Sequence, residues 1–173
     1  MTHSCNVLVL CTGNSARSLL AEALLNDRSK GRVWAYSAGS KPRGEPHPLA
    51  VGLLLARGHE CGYLRSKSWD EFSAPGAPVM DLVVTVCDSA AGESCPLWPG
   101  APLRAHWGIP DPAAVEGTDA ERRAAFEVAY RQLAARVDAF LALPFETMAV
   151  GALQQALAAI GKLQGATDGT SGH

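Results

Sequence analysis

Apolar and polar positions alternate in blocks along the chain, and these blocks predict an order of strands and helices. Compact apolar runs bounded by turn residues predict strands in NVLVLC, RVWAYSAG and MDLVVTVCDSA, with a weaker, shorter strand in LRAHWG. Apolar residues three and four positions apart predict helices at about 16–26, 48–58, 120–143 and 147–163. Strands that alternate with helices indicate an α/β fold with a parallel sheet, whose functional loops gather at the carboxyl ends of the strands.

The longest predicted helix carries a capping signal and an apolar face. Thr118 and Asp119 are suited to cap its N-terminus. Helical spacing predicts a core face made of Ala125, Val128, Leu133, Val137 and Phe140. Pro144 separates this helix from the last one, and the tail at 165–173 has the composition of a disordered segment. We therefore expect a main domain at 1–143, a helical extension at 144–164 and a disordered tail.

Composition and charge exclude several classes of protein. A chain of 173 residues fits one domain, and a net charge of -2 offers no basic excess for binding nucleic acid. VLVLC is too short for a secretory h-region and AVGALQQALAAIG too short to span a membrane, so we expect a cytoplasmic protein without a membrane partner. Five cysteines in such a chain indicate free or redox-active thiols rather than a disulfide framework.

The segment CTGNSAR, residues 11–17, joins the first predicted strand to the first predicted helix. Five residues between Cys11 and Arg17 let the loop curl so that its backbone N–H groups point inward and bind an oxyanion, next to the positive end of the helix dipole. Gly13 permits a positive φ and Asn14 tolerates one. The predicted oxyanion-binding residues are Thr12, Gly13, Asn14, Ser15, Ala16 and Arg17.

A cysteine at the start of this loop predicts nucleophilic chemistry. Arg17 offers a bidentate fork to a tetrahedral oxyanion, and the same field is expected to lower the pKa of Cys11, so that it is largely a thiolate near neutral pH. Ser18 is a candidate donor to the Cys11 sulfur. Asp111, in IPDP after the last predicted strand, is the candidate acid for the leaving oxygen. These residues predict that Cys11 attacks phosphorus or arsenic in a bound oxyanion. The alternative is that Cys11 is only a core residue at the end of a strand, followed by an ordinary turn.

These motifs resemble a known family. VLVLCTGNSARS, followed by SAG at 37–39, resembles the low-molecular-weight protein tyrosine phosphatase fold. Within that fold, DLVVTVCDSAAGESCP and AHWGIPDPA resemble the arsenate reductase branch, and the thioredoxin-coupled type is the most similar. The resemblance runs from about residue 5 to 142. It implies a three-layer α/β fold with a four-stranded parallel sheet flanked by helices, and reduction of arsenate to arsenite.

The resemblance also implies a relay of three cysteines. Cys11 attacks arsenate, Cys87 attacks Cys11 and releases arsenite, and Cys95 attacks Cys87 to leave a Cys87–Cys95 disulfide for thioredoxin. No cofactor is held tightly, and an external thiol supplies the electrons. The Cys87–Cys95 spacing is one residue longer than in familiar thioredoxin-coupled members, which leaves glutathione with glutaredoxin open as the reductant. Cys87 and Cys95 also have simple structural interpretations, the former as a small buried residue.

Some members of the branch bind potassium, and part of that ligand set has counterparts here. Asn14, Glu22 and Ser37 match it, whereas Lys67 falls where the remaining ligands are expected. Lys67 either sets an ammonium group in place of the ion or is a solvated surface lysine, and the sequence favours the latter. We therefore assign no metal to the site residues, and potassium stays open as a doubtful ligand.

Two other functions compete with arsenate reduction. One is a protein tyrosine or small-molecule phosphatase that uses Cys11, Arg17 and Asp111 alone; the other is a non-catalytic oxyanion- or thiol-sensing protein. DPAAVEG, after the candidate acid, lacks the aromatic residues that help such phosphatases hold phosphotyrosine. The expected partners are arsenate and either thioredoxin or glutaredoxin. The protein is expected to be a monomer or a homodimer. Its last helix either docks on the domain or forms a dimer face.

Overall fold

Four parallel strands form one sheet in the computed structural model, which describes residues 4–87, 98 and 102–163. The strands are β1 (Cys5–Leu10), β2 (Val33–Ala38), β3 (Leu82–Thr85) and β4 (Leu103–His106), in the spatial order β2-β1-β3-β4. The α-helices of the described residues are α1 (Arg17–Arg28), α2 (Pro48–Ala56), α3 (Asp119–Leu141) and α4 (Val150–Ile160). The expected four-stranded parallel sheet flanked by helices is confirmed.

The apolar run of β1 explains its central position. Val7 to Leu10 are all buried, because β1 has a strand on each side and its side chains enter the core. The order of the strands reverses at β1, since β2 lies on one side and β3 on the other. In open parallel sheets, ligands bind outside the carboxyl ends of the strands at such a reversal.

The third strand is shorter than its apolar run predicts. β3 ends at Thr85, and Val86 still donates its amide to the Leu10 carbonyl at 3.0 Å before the chain leaves the sheet. Cys87 therefore lies in the loop after β3, and its side chain is only 1% exposed.

The helix α3 begins with a reciprocal cap. The Thr118 hydroxyl accepts from the Glu121 amide at 3.1 Å, and the Glu121 carboxylate accepts from the Thr118 amide at 3.2 Å. Thr118 is thus the cap, as expected, whereas Asp119 is the first helical residue. The predicted core face is wrong at Val128, which is 42% exposed, because the larger rings of Phe126 and Tyr130 are buried and turn that position outward.

The last helix packs on its own chain. It covers 150–160, whereas the apolar pattern predicts about 147–163, and it contacts β4 and α3. The division between a domain at 1–143 and an extension at 144–164 stays a prediction, and the tail at 165–173 lies outside the described residues. Within the described part of the chain, none of the helices combines the length and the apolar character needed to cross a bilayer.

Candidate active site

The carboxyl ends of the strands gather the predicted site residues in one cavity. Cys11 follows β1, Cys87 lies just after β3 and Asp111 follows β4. The cavity has a volume of about 270 Å³. Its walls are residues 11–17, which we call the anion loop, together with Lys41, Arg43, Cys87, Asp111 and Ala113. The structure therefore brings together the loop, the second thiol and the candidate acid.

Hydrogen bonds from a neighbouring segment hold the carbonyl groups of the anion loop. Three of these carbonyl groups accept hydrogen bonds from the segment that follows β2. The bonds join the carbonyl oxygens of Thr12, Gly13 and Ser15 to the amides of Lys41, Arg43 and His47, at 3.0, 3.0 and 2.8 Å. These bonds hold the loop in a curled shape, and the inward-facing N–H groups that an oxyanion site requires stay a prediction. At the start of α1, Ala16 supplies no side-chain cap and the first turn has no acidic residue, so nothing in that turn repels an anion.

Two residues let the loop close tightly. Asn14 has a φ of 45°, whereas Gly13 does not take the positive φ that the sequence allows it. Gly39, the last residue of SAG, lies against the loop instead: a Cβ there would be 2.4 Å from the Thr12 oxygen and 2.7 Å from the Cys11 oxygen. Only glycine fits this approach, which explains the requirement for glycine after β2.

Arg17 is held between the cavity and the loop after β4. Its side chain is 6% exposed, and Nη1 donates to the Ile109 carbonyl oxygen at 2.7 Å. Its Nη2 lies 3.7 Å from Oδ2 of Asp111. The other oxygen of Asp111 accepts from the Ala113 amide at 2.9 Å, which fixes the carboxylate at the cavity wall. Asp111 and Arg17 are therefore oriented together.

The two buried thiols are neighbours. Cys11 and Cys87 are both buried and line the same cavity, and Cys87 Sγ accepts from the amide of Thr12, the residue next to Cys11, at 3.3 Å. The hydrogen bond with Cys87 and then burial raise the pKa of Cys11 well above its usual value, whereas Arg17 lowers it. The expectation that Cys11 is largely a thiolate near neutral pH is therefore wrong for the protein without a bound anion. The sequence could not show this, because the neighbouring thiol comes from a distant loop.

Ser18 belongs to a buried polar network beneath the anion loop. The Asn14 amide group donates to the Ser18 and Ser37 hydroxyl groups at 2.8 and 2.9 Å. Ser37 in turn donates to the Glu22 carboxylate at 2.5 Å. These bonds fix Asn14 in its left-handed conformation. The expected donation from Ser18 to the Cys11 sulfur stays a prediction.

Lys67 completes this network from the other side. Its amide donates to Asn14 Oδ1 at 2.9 Å, and its ammonium group donates to the Arg65 carbonyl oxygen at 2.8 Å. The residue is 7% exposed, so the expectation of a solvated surface lysine is wrong. Burial lowers the pKa of Lys67 and raises that of Glu22, and their attraction opposes both shifts.

These contacts do not fit a potassium ion. The Asn14 amide group presents N–H rather than oxygen to Ser18 and Ser37, and a buried ammonium group already offsets the charge of Glu22. A potassium site needs several oxygens that face a common point. Within residues 4–87, 98 and 102–163, no cluster of three or more His, Cys, Asp or Glu side chains suits a metal ion.

Lys41 and Arg43 are cavity residues that the sequence did not single out. They line the mouth of the cavity, and their amides hold the anion loop. The signal was the pair of basic residues in KPR, which follows SAG after a single serine. Cys95, the predicted third thiol, lies outside the described residues.

Comparison with known proteins gives consistent results. The model of the family described as low molecular weight phosphotyrosine protein phosphatase matches residues 6–148. The chain is 38% identical to an arsenate reductase of Halalkalibacterium halodurans over 135 residues, which are 78% of this chain and 93% of that protein.

Solved structures also resemble this one. The thioredoxin-dependent arsenate reductase of Corynebacterium glutamicum is 26% identical, with a TM-score of 0.53 over 79% of this chain and 63% of that one. The low molecular weight protein tyrosine phosphatase of T. tengcongensis is 25% identical, with a TM-score of 0.63 over 78% of this chain and 96% of that one. The same fold thus accompanies two activities among the proteins that this chain resembles.

Proposed function

This chain belongs to the low molecular weight phosphotyrosine protein phosphatase family, and from that premise we propose that it reduces arsenate to arsenite. The observation that carries the proposal is that two buried thiols, Cys11 and Cys87, line one cavity together with the anion loop. Hydrolysis of a phosphate ester needs one nucleophilic thiol, whereas a two-electron reduction needs a second thiol within reach. The arsenate reductases among its relatives support the same reaction.

In the first step, Cys11 attacks arsenic while the loop amides and Arg17 bind the remaining oxygens. An S–As bond forms and one As–O bond breaks. Because the pKa of Cys11 is raised, Cys11 carries its proton before the anion binds. When the arsenate dianion binds, this proton moves to an arsenate oxygen. The products are a Cys11 thiolate and an arsenate monoanion, and the total number of protons is unchanged. Asp111, beside Arg17, supplies the proton with which the oxygen leaves as water.

In the second step, Cys87 attacks the Cys11 sulfur. An S–S bond forms, the S–As bond breaks, and its electron pair stays on arsenic, which leaves as arsenite with the Cys87 thiol proton on one of its oxygens. The position of Cys87 supports this step, because its sulfur lines the same cavity as Cys11 and contacts the amide of the next residue. The Thr12 amide, 3.3 Å from Cys87 Sγ, stabilises negative charge on the attacking sulfur.

In the third step, Cys95 attacks Cys87, which frees Cys11 and leaves a Cys87–Cys95 disulfide. An external dithiol then reduces that disulfide, and we propose thioredoxin for this role because a similar enzyme depends on it. Glutaredoxin with glutathione is the other candidate. A cytoplasmic location belongs to the same proposal, since the relay needs a compartment that keeps thiols reduced.

A coupled assay tests the function. The full-length protein is mixed with arsenate, NADPH, thioredoxin reductase and thioredoxin, and NADPH oxidation is followed. We expect turnover that Cys11→Ser and Cys87→Ser each abolish. Cys5→Ser and Cys61→Ser are matched controls that retain it, because neither residue lines the cavity and burial raises both pKa values, that of Cys5 to about 12. Replacing thioredoxin by glutaredoxin and glutathione identifies the donor.

The phosphatase alternative has its own signature in the same variants. If the protein hydrolysed an aryl phosphate, showed no arsenate-dependent NADPH oxidation, and kept that hydrolysis in Cys87→Ser, the cavity would be that of a phosphatase. Full arsenate reduction by Cys87→Ser would equally contradict the proposed relay.

A further inference from the structure

The helix α4 lies after residue 148, where the family match ends, yet it packs beside the catalytic loops. We propose that α4 and Gly161 position the segment 107–111, which we call the acid loop, and through it Arg17 and Asp111. The effect of α4 on arsenate turnover rests on the proposed function. Its effect on the shape of the cavity, and therefore on phosphate binding, does not depend on that function.

The end of α4 meets the start of the acid loop in a close contact. Trp107 Nε1 donates to the Leu157 carbonyl oxygen at 3.2 Å, and this bond is buried. A Cβ on Gly161 would lie 2.2 Å from the His106 carbonyl oxygen and 3.3 Å from Trp107 Cδ1. Only glycine permits this approach, so the sequence at 161 is matched to the backbone at 106–107.

Further bonds fix α4 along the edge of the sheet. Gln154 Nε2 donates to the Arg104 carbonyl oxygen of β4 at 2.8 Å. Arg136, fully buried in α3, donates to the Leu163 carbonyl oxygen at 2.9 Å. The helix is therefore attached to β4 and to α3, and it cannot shift without moving its contact with Trp107.

The other side of the acid loop is attached to the catalytic residues. Ile109 donates its amide to the Val86 carbonyl at 3.3 Å, next to Cys87. Its own carbonyl oxygen accepts from Arg17 at 2.7 Å, and two residues later Asp111 lies 3.7 Å from the same guanidinium group. Ile109 and Asp111 are only two and four residues away from Trp107, and both contact Arg17. A displacement of Trp107 would therefore move the groups that orient Arg17.

Two glycines of the same region make a matched pair of variants. Gly161→Ala forces a methyl group against the His106 carbonyl, whereas at Gly151, near the start of α4, a Cβ meets nothing within 4 Å. Both are Gly→Ala changes in the full-length protein. Trp107→Phe is a milder variant, because it removes the donor to Leu157 and keeps a ring against Phe140.

The experiment measures phosphate binding by calorimetry, kcat/KM for arsenate at several pH values, and thermal stability. We expect Gly161→Ala to weaken phosphate binding severalfold and to lower kcat/KM about tenfold, which is the effect of a displacement of about 0.5 Å where 1 Å costs about 10²-fold. Its pH profile should change shape, because Asp111 moves. Trp107→Phe should show a smaller change of the same kind, and Gly151→Ala should stay within twofold of the wild type.

Three outcomes would overturn the inference. One is a Gly161→Ala protein that is less stable but has wild-type phosphate affinity and an unchanged pH profile, which assigns Gly161 to packing alone. The second is an equal effect of Gly151→Ala. If Gly161→Ala does not fold, the Trp107→Phe variant is used instead. The third outcome is then a Trp107→Phe protein with the phosphate affinity and the pH profile of the wild type. A wild type that binds phosphate but does not reduce arsenate contradicts the proposed function and leaves the binding comparison intact.

Discussion

Replacing Gly39 by alanine would press a methyl group into the backbone of the anion loop. The new Cβ would start 2.4 Å from the Thr12 carbonyl oxygen and 2.7 Å from that of Cys11, and real Cβ atoms essentially never come closer than 3.0 Å to such neighbours. The Thr12 carbonyl must therefore retreat by about 0.6 Å. If 1 Å costs about 10²-fold in rate, this displacement lowers kcat/KM by about 10- to 30-fold, or about 1.4–2 kcal/mol of transition-state stabilisation.

The assay for Gly39→Ala is arsenate turnover, paired with phosphate affinity and thermal unfolding. Overpacking of this kind costs about 1–3 kcal/mol of folding free energy, so turnover is measured well below the melting temperature. Gly52→Ala is the matched control, because Gly52 lies in α2 and its Cβ would meet nothing within 4 Å. A Gly39→Ala protein with kcat/KM within twofold of the wild type would refute the claim that the loop backbone must keep its position.

Three further predictions concern charge and protonation. Cys87→Ala should lower the pKa of Cys11, because the hydrogen bond with Cys87 is the largest cause of its raised value; alkylation of Cys11 followed against pH by mass spectrometry checks this, and an unchanged midpoint contradicts it. Arg43→Gln should reduce kcat/KM for arsenate severalfold at low ionic strength and much less above about 0.15 M salt, whereas an equal loss at all salt concentrations would exclude steering by charge. Arg32 holds the pKa of Glu146 at about 2, below the unfolded value of about 4.5, so the contribution of the Arg32–Glu146 ion pair to stability is present above pH 4.5 and disappears as the pH falls towards 2. The difference in urea stability between the wild type and Glu146→Gln should therefore shrink over that range, and a constant difference would contradict the shift.

The architecture of the anion loop could be predicted from sequence because it is local. A strand, a loop with the Cys-x5-Arg spacing and a helix follow one another, and the geometry of each is set by its own residues. The parallel sheet follows from the same alternation. The positive φ at Asn14 rather than Gly13 is a finer result, since it depends on the hydrogen bonds of Asn14 with Ser18, Ser37 and Lys67.

What could not be predicted depends on residues that are distant in sequence. The pKa of Cys11 rises because folding brings the Cys87 thiol against it, whereas the sequence shows only the arginine and the helix that lower it. Lys67 reads as a surface residue because nothing near it in the chain shows that Glu22 will be buried beside it. The docking of α4 on β4 depends in part on the close contact at Gly161, which a one-dimensional pattern does not contain.

The most direct test of the account is a single turnover without any external reductant. The Cys95→Ser protein, fully reduced and then desalted, is mixed with excess arsenate, and both arsenite and disulfides are measured. We expect one arsenite for each protein molecule, together with a Cys11–Cys87 disulfide identified by mass spectrometry, because these two thiols line one cavity and supply both electrons. No arsenite, or arsenite without that disulfide, would contradict the claim that this cavity reduces arsenate through adjacent thiols.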